Sequence, residues 1–594
     1  MTPSVSQPKI PSAVHRINFM YVFLILVMGI FIIRAFYVQV IRYDFYHKAA
    51  LSDQLKQYQI PAERGIIKAY EGNTVVPIVL NQKLYTVYAD PTFIKAKDLD
   101  RDAMYTASVL GGKADKYKAA MQTKGTEYVV IARKVPEKKK TELLAKKYPG
   151  IGAIALDYRT YPQGALAAQL LGFVDNESKG QYGVEQALNK ELTGTPGEVK
   201  ALTDASGVPL VASGNNVQIQ PQNGKDVVLT VDIGMQKQME QILSQEYANT
   251  HSQGLSAIVM DSNSGQVKAM ANYPSYNPAN YQNVSDPNLF QNAAVSNSIE
   301  PGSTMKTLTA AAALDVGVVS PTTTFYDPAH WLVDGFNITD IEEDGGARTQ
   351  SLESILNLSL NTGATWLLMQ MGGGKIDSKA RNTWYDYMTN HYQLGKPTGI
   401  EQGYEADPLV PKPQDNGAGI DLTYANTSFG QGVQVTTLQM AAAVSSIVNG
   451  GTYYQPTLVS QTIDSNGAVS ANKPKVIKSD VVSSTVSNEM LPLLEGVVQK
   501  HYEAGFKYLN FSSNYIVGGK TGTAQVAKPS GGYYENVFNG TYVGFVGGDK
   551  PQYVIVVFNI KPNVQGYAGA MGGQPVFADL AHMLINDGYV TPKD

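Results

Sequence analysis

Residues 299–315 read IEPGSTMKTLTAAAALD and place a turn, a hydroxyl group and a helix in one short stretch. Pro301 and Gly302 mark the end of a loop, and the Ala- and Leu-rich run after them predicts a helix. Ser303 would then lie at a helix N-terminus, where unsatisfied backbone N–H groups favour negative charge. Lys306 follows on the same helical face, within reach of the serine hydroxyl. A lysine that burial or a second cation keeps neutral can take the serine proton and so create a nucleophile.

The Ser-x-x-Lys spacing is weak evidence by itself, because a chain of 594 residues is expected to contain about two or three matches by chance. This chain has three matches: Ser6/Lys9, Ser303/Lys306 and Ser470/Lys473. The first lies in the short N-terminal tail and the last in a loop with Gly, Asn and Pro, so only Ser303 is followed by a predicted helix. Taken alone, Ser303 could equally well be an ordinary serine that caps the N-terminus of a helix.

A second polar motif is Ser359-Leu360-Asn361, in the segment ILNLSLNTGA. In a non-helical turn, side chains two positions apart project in the same direction. A hydroxyl and an amide could therefore enter one cleft. By itself the motif is more simply interpreted as a polar loop, since Ser-x-Asn is a common combination.

A third motif, Lys520-Thr521-Gly522 followed by Thr523, lies in the β-rich run VGGKTGTAQV and occurs once in the chain. Glycines beside the strand allow a substrate backbone to approach and pair as an extra strand. Lys520 supplies a positive charge for a substrate carboxylate, and its like charge would favour the neutral form of Lys306. The alternative is a bulged strand that carries a surface lysine.

The order of the three motifs gives them weight, because Ser-x-x-Lys, Ser-x-Asn and Lys-Thr-Gly in this order form the signature set of penicilloyl-serine enzymes. On this set the chain resembles the class B, monofunctional penicillin-binding proteins, and most closely the division-specific transpeptidase type. The resemblance extends from the apolar N-terminal segment to the last predicted helix. Its other parts are RTYPQGALAAQLLGFV (159–174), GQYGVEQALNKELTGTPG (180–197), IVMDSNSGQVKAMANYPSYNP (258–278), FGQGVQVTTLQMAAAVSSIVNGG (429–451) and PVFADLAHMLI (575–585).

The resemblance implies catalytic roles for four side chains. Ser303 would be acylated by a D-Ala-D-Ala stem peptide, and Lys306 would accept its proton. Ser359 would pass a proton to the leaving D-Ala, and Lys520 would hold the terminal carboxylate of the substrate. An amine from a neighbouring stem peptide would then attack the acyl-serine, which releases the enzyme and forms a cross-link.

The resemblance also implies how the substrate is held. Asn361 would bind the peptide amide, and Thr521 would join in binding the carboxylate. Gly522 and Thr523 belong to the same substrate-binding strand, and the backbone N–H groups of Ser303 and Thr523 would form an oxyanion hole. No cofactor and no metal are expected, since the chain has no Cys and its seven His form neither an HxxH nor an HExxH pair.

One stretch departs from the family pattern. The segment RGIIKAYEGN (64–73) resembles the Arg-Gly-x-Ile-x-Asp-Arg-x-Gly stretch of the family near the membrane. Arg64 and Gly65 match, whereas Ala69 and Tyr70 stand where Asp and Arg are usual. This difference concerns the packing and partner contacts of that region and leaves the chemistry unaffected.

An apolar segment near the N-terminus predicts a membrane anchor. Residues 17–33 carry no charge, and apolar character resumes after Arg34 to about residue 41, which is long enough to cross a bilayer. The alternative, a cleaved signal peptide, is disfavoured because no small-x-small site follows. Basic residues flank both ends, so charge does not settle the orientation. The resemblance implies a plasma-membrane protein with its N-terminus in the cytoplasm and the bulk of the chain outside.

The charge composition limits the classes of partner that the chain is expected to bind. The net charge is −4 and the pI about 6.0, with no long basic block outside one helix, which argues against nucleic acid as the main partner. The Lys-rich run PEKKKTELLAKKY is interpreted as a solvated helix face rather than a lipid-binding surface, because Leu143 and Leu144 supply an ordinary buried stripe. The resemblance implies stem peptides as substrates, β-lactams as inhibitors, and a polytopic glycosyltransferase with other division proteins as partners.

The predicted fold is of the α+β class with several parts, as a chain of 594 residues exceeds one ordinary core. DVVLTVD predicts a strand, IGMQKQMEQILSQEY a helix, and SAIVMD-SNSG-QVKAMANY a β-hairpin. With strands again near the C-terminus and helices in the middle, roughly 290–450, we expect an antiparallel sheet flanked by helices. The predicted divisions are a cytoplasmic tail (1–16), a transmembrane anchor (17–41), an elongated mixed pedestal domain (42–225) and a transpeptidase domain (226–594).

Three other functions compete with a division-specific transpeptidase. An elongation-specific transpeptidase would carry the same motifs. A serine β-lactamase needs a general base that activates water, and the segment E353SILN resembles such an element but precedes Ser-x-Asn when it should follow. A scaffold or a non-turnover β-lactam sensor is the third, although a scaffold would be expected to lose the motifs and a sensor to have several membrane spans.

Overall fold

The computed structural model describes residues 13–46, 55–202, 217–340, 346–413 and 419–594. The chain divides into two compact units, one made of Met1–Ala62 and Thr195–Asn223 and the other of Glu63–Gly194 and Gly224–Asp594. Most of the predicted tail (1–12) and part of the polar stretch before residue 226 lie outside the described residues. The predicted domain limits stay predictions.

The predicted anchor forms one helix. Ala13–Phe36 is α-helical and continues as a π-helical turn, Tyr37–Ile41. Ile17–Ile41 is long and apolar enough to cross a membrane, and among the described residues it alone qualifies. Its apolar side chains are exposed, with Phe31 at 71%, as expected of a helix that lipid surrounds. These bounds agree with single-pass anchoring. The same unit holds an antiparallel sheet of three strands, in the order Leu55–Ile60, Gly197–Leu202 and Val217–Ile219.

A five-stranded antiparallel sheet lies at the centre of the larger unit. Its order is Val267–Tyr273, Gly254–Asp261, Pro551–Ile560, Tyr533–Gly547 and Ile516–Ala527. Alternate side chains of one strand enter different cores, because successive residues point to opposite faces. Ile555 and Val557 belong to one core cluster, whereas Val554 and Val556 belong to another.

Helices cover both faces of this sheet, as predicted. Ile233–Thr250 and Gln574–Asn586 pack on one face through Met239, Leu243 and Phe577. The hydrophobic helix Thr437–Val448, opened by a capping box at Thr436 and Gln439, packs on the other. Other α-helices of the described chain are Leu99–Leu110, Ala114–Met121, Glu137–Leu144, Ala168–Leu171, Gly183–Ala187, Asn189–Thr193, Ala293–Ser296, Met305–Asp315, Leu352–Asn357, Asn361–Met371, Ser378–Asp386, Ile420–Ser428 and Ser484–Glu503.

A second, seven-stranded sheet takes strands from both sides of the predicted boundary at residues 225/226. Its order is Val469–Ala471, Val459–Ile463, Asp226–Asp232, Ile67–Glu71, Thr74–Ala89 and Val129–Val135, and Ile151–Thr160 also pairs with Thr74–Ala89. The pairing of Asp226–Asp232 with Ile67–Glu71 is parallel. The two positions that depart from the family pattern lie here: Ala69 is fully buried, and Tyr70 Oη lies 2.9 Å from Ser460 Oγ.

Short strands interrupt the segment predicted to be helical. Thr324–Asp327 pairs with Arg348–Ser351, and His330–Val333 with Phe336–Thr339. Each has only four residues, too few for a periodic pattern to be recognised in the sequence. Two further small pairs are Tyr453–Tyr454 with Val476–Lys478, and Phe173–Val174 with Gly180–Gln181.

Candidate active site

The turn that carries Ser303 leads directly into a helix, as predicted. Gly302–Thr304 forms a 3₁₀ turn, and the buried, Ala-rich helix Met305–Asp315 follows without a break. Gly302 has φ +58°, and a Cβ there would lie 2.9 Å from the carbonyl carbon and oxygen of Thr523. Glycine is required because the turn has a left-handed conformation and touches the Lys-Thr-Gly strand.

Lys306 lies beside the Ser303 hydroxyl. Its side chain is fully buried, and its Nζ donates to Ser303 Oγ over 3.0 Å and to Asn361 Oδ1 over 2.8 Å. It also donates to the carbonyl oxygen of Ser359. One amine therefore connects the Ser-x-x-Lys and Ser-x-Asn motifs.

Ser359 occupies the turn between the helices Leu352–Asn357 and Asn361–Met371. Its φ is +59°, a left-handed conformation that is uncommon for a residue other than glycine. Ser359 Oγ lies 3.3 Å from Lys306 Nζ and 3.0 Å from Lys520 Nζ. Such backbone conformations often occur where a side chain must be aimed at a functional site, and here the hydroxyl is aimed between two lysines.

Asn361 is the first residue of its helix and is held from several sides. Its backbone N–H donates to Asp340 Oδ1 over 2.5 Å, and its Nδ2 donates to the carbonyl of Thr339 over 3.1 Å. Asp340 also accepts from the backbone N–H of Thr362, so its carboxylate satisfies two donors at a helix N-terminus. Sequence reasoning missed Asp340, because it acts from a short hairpin that gives no local signal.

Lys520 and Thr521 lie on Ile516–Ala527, which is an edge of the five-stranded sheet within the described structure. We call it the edge strand. Lys520 is fully buried, and its Nζ donates to Ser359 Oγ and to the carbonyl of Thr521, the latter over 3.1 Å. The lysine was predicted to lie on a β-rich run and to supply a positive charge for a substrate carboxylate; the alternative of a surface lysine is wrong, because the side chain is buried.

Gly522 lies where the edge strand touches the turn of Ser303. A Cβ on Gly522 would lie 2.2 Å from Thr541 Oγ1 and 2.6 Å from the carbonyl oxygen of Pro301. The glycine therefore has a packing reason in addition to any contact with a substrate. Next to it, Thr523 Oγ1 accepts from the backbone N–H of Gly569 over 3.0 Å.

These motifs surround one cleft of about 710 Å³. Five of the eight predicted site residues line it: Ser303, Ser359, Asn361, Thr521 and Thr523. The other three, Lys306, Lys520 and Gly522, are buried and are not part of the lining. Four further lining side chains carried no sequence signal, namely His501, Phe506, Phe538 and Tyr567.

His501 is a neutral histidine in the wall of this cleft. Tyr508 Oη donates to Gln574 Oε1 over 3.1 Å, which leaves the amide NH₂ of Gln574 to donate to His501 Nδ1 over 2.6 Å. Burial, and next the positive charge of Lys520, lower the pKa of His501 to about 4. Its proton at neutral pH is therefore on Nε2.

Glu300, three residues before Ser303, is a second group that the motifs did not indicate. Its Oε1 accepts from the backbone N–H of Gly432 and from Tyr533 Oη, both over 2.9 Å. Its Oε2 is buried and has no hydrogen-bond partner among the described residues. Burial raises the pKa of the Glu300 carboxyl. The side chain connects the turn of Ser303 to the segment 429–434.

The arrangement suits nucleophilic acyl transfer. A serine hydroxyl has an amine within hydrogen-bond distance, and a second hydroxyl connects that amine to another lysine. Among the described residues, no group of three or more His, Asp or Glu is placed to hold a metal ion.

The chain is similar to known proteins over nearly its whole length. Residues 255–582 match the family described as "Penicillin binding protein transpeptidase domain", and residues 59–229 match "Penicillin-binding Protein dimerisation domain". Stage V sporulation protein D of Bacillus subtilis is 31% identical over 97% of this chain and 86% of that protein. Peptidoglycan D,D-transpeptidase FtsI of Escherichia coli is 26% identical over 96% and 91%. The crystal structure of Penicillin Binding Protein 2X from Streptococcus thermophilus has a TM-score of 0.70 and 25% identity, covering 91% of this chain and 83% of that one.

Proposed function

The chain belongs to the class B penicillin-binding proteins and is a serine-type peptidoglycan D,D-transpeptidase, and we propose that Ser303 forms its acyl-enzyme. The observation that carries this proposal is the 3.0 Å contact between Lys306 Nζ and Ser303 Oγ at the base of the cleft. Lys306 in its neutral form accepts the Ser303 proton while Oγ attacks the carbonyl carbon between the two D-alanines of a stem peptide.

The leaving group requires a proton, and Ser359 is placed to supply it. Its hydroxyl lies within hydrogen-bond distance of both Lys306 and Lys520. The proton taken by Lys306 passes through Ser359 Oγ to the amine of the departing D-Ala as the carbon–nitrogen bond breaks. The backbone N–H groups of Ser303 and Thr523 bind the carbonyl oxygen while it carries negative charge. An amine of a neighbouring stem peptide then displaces Ser303 and forms the cross-link.

The edge strand supplies the binding contacts. The terminal carboxylate of the stem peptide is held by Thr521 Oγ1 and by the charge of Lys520, whose ammonium lies 3.5 Å from that hydroxyl. Asn361 binds the peptide amide, and Gly522 keeps the strand close to the Ser303 turn. β-Lactams carry a carboxylate and a strained amide in comparable positions, so they acylate Ser303 as inhibitors.

Labelling with a fluorescent penicillin tests the assignment. Detergent-solubilised wild-type protein should retain the label on a denaturing gel, and Ser303→Ala should take none. Lys306→Ala should label far more slowly. Equal labelling of Ser303→Ala would remove Ser303 from this role. Steady hydrolysis of the drug would indicate a β-lactamase, and labelling without any cross-linking of stem peptides would indicate the sensor alternative.

The bulk of the chain is proposed to lie outside the cell, with the N-terminus in the cytoplasm, because the stem peptides are outside. The chain has no Cys, so single-cysteine variants report topology without a background. Ser465→Cys, an exposed position, should react with a membrane-impermeant maleimide in intact cells. Ser6→Cys should react only after the membrane is permeabilised. The reverse pattern would overturn this orientation.

We further propose that the protein acts at the division septum. Its partners there would be a polytopic glycosyltransferase and other division proteins. The similarity to FtsI supports this proposal, although a sporulation protein is also among the relatives. A fluorescent fusion should collect at mid-cell, and in-cell cross-linking should recover a polytopic glycosyltransferase. A side-wall distribution would favour the elongation-specific alternative. Nucleic acid is not proposed as a partner.

A further inference from the structure

A second pocket in the larger unit is walled by uncharged polar side chains. It measures about 230 Å³ and lies between residues 181–186, 291–296 and 402–404. Its lining in the described structure has five carboxamides, two tyrosines, a serine and two glycines, and no charged side chain. None of these residues belongs to the cleft of Ser303. The pocket is therefore a separate site with a different chemistry.

Buried amides fix the floor of this pocket. Asn272 Nδ2 donates to Asn292 Oδ1 over 2.7 Å, and Asn292 Nδ2 donates to Gln402 Oε1 over 3.1 Å. Gln402 Nε2 then donates to the carbonyl of Leu170 over 3.0 Å. Asn292 and Gln402 are both more than nine-tenths buried. A connected chain of this kind holds each amide in one orientation, which gives the pocket a defined shape.

The walls are constrained as well. Tyr182 has φ +58°, a conformation that is costly for a bulky residue and that often marks a functional position. Its backbone N–H donates to Gln186 Oε1 over 3.0 Å, which orients the Gln186 amide and leaves its NH₂ group for a ligand. Tyr404, in the same lining, is 62% exposed and offers both an aromatic face and a hydroxyl.

The chemistry of the lining selects the ligand. Carboxamides both donate and accept hydrogen bonds, and a tyrosine adds an apolar face with a polar end. Without a lining charge, the pocket offers no compensation for a phosphate or a carboxylate that leaves water. A ligand with many hydroxyl and acetamido groups and no charge fits these properties. We propose that this pocket binds an N-acetylhexosamine unit of a neutral glycan strand.

This inference rests on the proposed function, because the stem peptides that the enzyme cross-links are carried on such a glycan. A sugar held here would keep such a strand on the protein surface. The segment 291–296 that forms one wall is tied to the chain just after residues 402–404 by a bond from Ala406 N–H to the carbonyl of Val295, 3.0 Å long. Together with the bond from Asn292 to Gln402, this bond holds the two segments beside each other.

Titration of full-length protein with N-acetylglucosamine tetrasaccharide tests the proposal. The protein should be held in a detergent without a sugar headgroup, and binding measured by calorimetry. Wild type and Ser303→Ala should bind the probe equally, since the pocket is separate from the nucleophile. Tyr404→Ala and Gln186→Ala, both at exposed positions, should weaken binding by about tenfold. Tyr326→Ala, at a comparably exposed tyrosine outside the pocket, is the matched control.

Penicillin labelling of the same samples separates this proposal from the proposed function. Both pocket variants should label at the wild-type rate. A wild type that labels but does not bind the tetrasaccharide overturns the glycan site and leaves the proposed function intact. The same conclusion follows if both pocket variants bind as tightly as Tyr326→Ala. Equal binding of cellotetraose, which lacks acetamido groups, would overturn the N-acetylhexosamine assignment. A wild type that takes no penicillin contradicts the proposed function, whatever the sugar does.

Discussion

Lys520 Nζ donates a hydrogen bond of 3.0 Å to Ser359 Oγ, although 161 residues separate the two in the chain. The same hydroxyl lies 3.3 Å from Lys306 Nζ. Two buried lysines that belong to different motifs thus share one serine. This arrangement makes the Ser359 hydroxyl a direct hydrogen-bonded route between the two amines. Loss of the hydroxyl should therefore slow acylation more than the change in side-chain volume does.

Ser359→Gly and Ser359→Ala should therefore slow acylation by a fluorescent penicillin to a similar extent, about 10²–10⁴-fold. The two variants should differ in stability. Alanine must adopt the left-handed conformation at φ +59°, whereas glycine adopts it freely. The free energy of unfolding of Ser359→Gly should therefore be about 1 kcal/mol higher than that of Ser359→Ala. Acylation kinetics and denaturant unfolding check the two parts. Near-normal acylation of either variant would contradict the proton route through Ser359.

Gly522→Ala should damage both stability and acylation. The new methyl group would lie 2.2 Å from Thr541 Oγ1 and 2.6 Å from the carbonyl of Pro301, so the edge strand must move away from the Ser303 turn. We expect a loss of about 1–3 kcal/mol in the free energy of unfolding and slower penicillin acylation. Gly254→Ala is the control, since it lies in the same sheet and its nearest neighbour would be 3.7 Å away. Equal behaviour of the two variants would show that this close approach has no consequence.

The local pattern around Ser303 predicted its turn and helix, and the order of the motifs predicted one cleft. The turn, the helix and the strand were predictable because the Pro-Gly punctuation, the Ala-rich run and the β-rich glycine segment are short-range features. That the three motifs meet followed from the family resemblance and not from any local pattern. The contacts that complete the site are long-range. Glu300 accepts from Gly432, 132 residues away, and His501 pairs with Gln574, 73 residues away. No periodicity or spacing in the sequence encodes such a pairing.

The same difference between short-range and long-range signals applies to the fold. The hairpin of Gly254–Asp261 with Val267–Tyr273 was predicted, because its strands are joined by the turn SNSG. The parallel pairing of Ile67–Glu71 with Asp226–Asp232 was not, since partners that distant share no local signal. The hairpin that ends at Asp340 was missed for a different reason: its strands of four residues are too short to display an alternating pattern.

Glu300 should be replaceable by glutamine but not by alanine. Its Oε1 accepts from Gly432 N–H and from Tyr533 Oη, and the Oε1 of glutamine can do the same. Glu300→Ala would leave both donors without a partner, which should cost about 1–3 kcal/mol in unfolding free energy and slow acylation of Ser303. Unfolding and labelling measurements on the two variants test this. Equal losses in both would mean that the charge, and not the acceptor, is needed.

The pH dependence of Glu300 has a definite sign. Burial raises its pKa in the folded protein, so folding favours the protonated carboxyl. The resulting stability is present below the ordinary pKa of 4.5 and is lost as the pH rises through the folded value. Glutamine cannot ionise, so the stability of Glu300→Gln relative to wild type should increase as the pH is raised above about 4.5. A constant difference between the two proteins over this range would contradict the raised pKa.

His501 should make the protein sensitive to acid. Its folded pKa is about 4 against an ordinary value of 6.5, so the unfolded chain binds a proton more readily than the folded one. The stability linked to His501 is therefore complete above pH 6.5 and is lost as the pH falls towards 4. The difference between 6.5 and about 4 corresponds to a loss of about 3 kcal/mol at most. His501→Gln should flatten the pH dependence of unfolding in this window, whereas His330→Gln, at an exposed histidine, should not.

Because Lys520 also lowers the pKa of His501, Lys520→Met should raise the pKa of His501, which an NMR titration would detect. An unchanged His501 pKa in that variant would place the lysine charge too far away to act on the histidine.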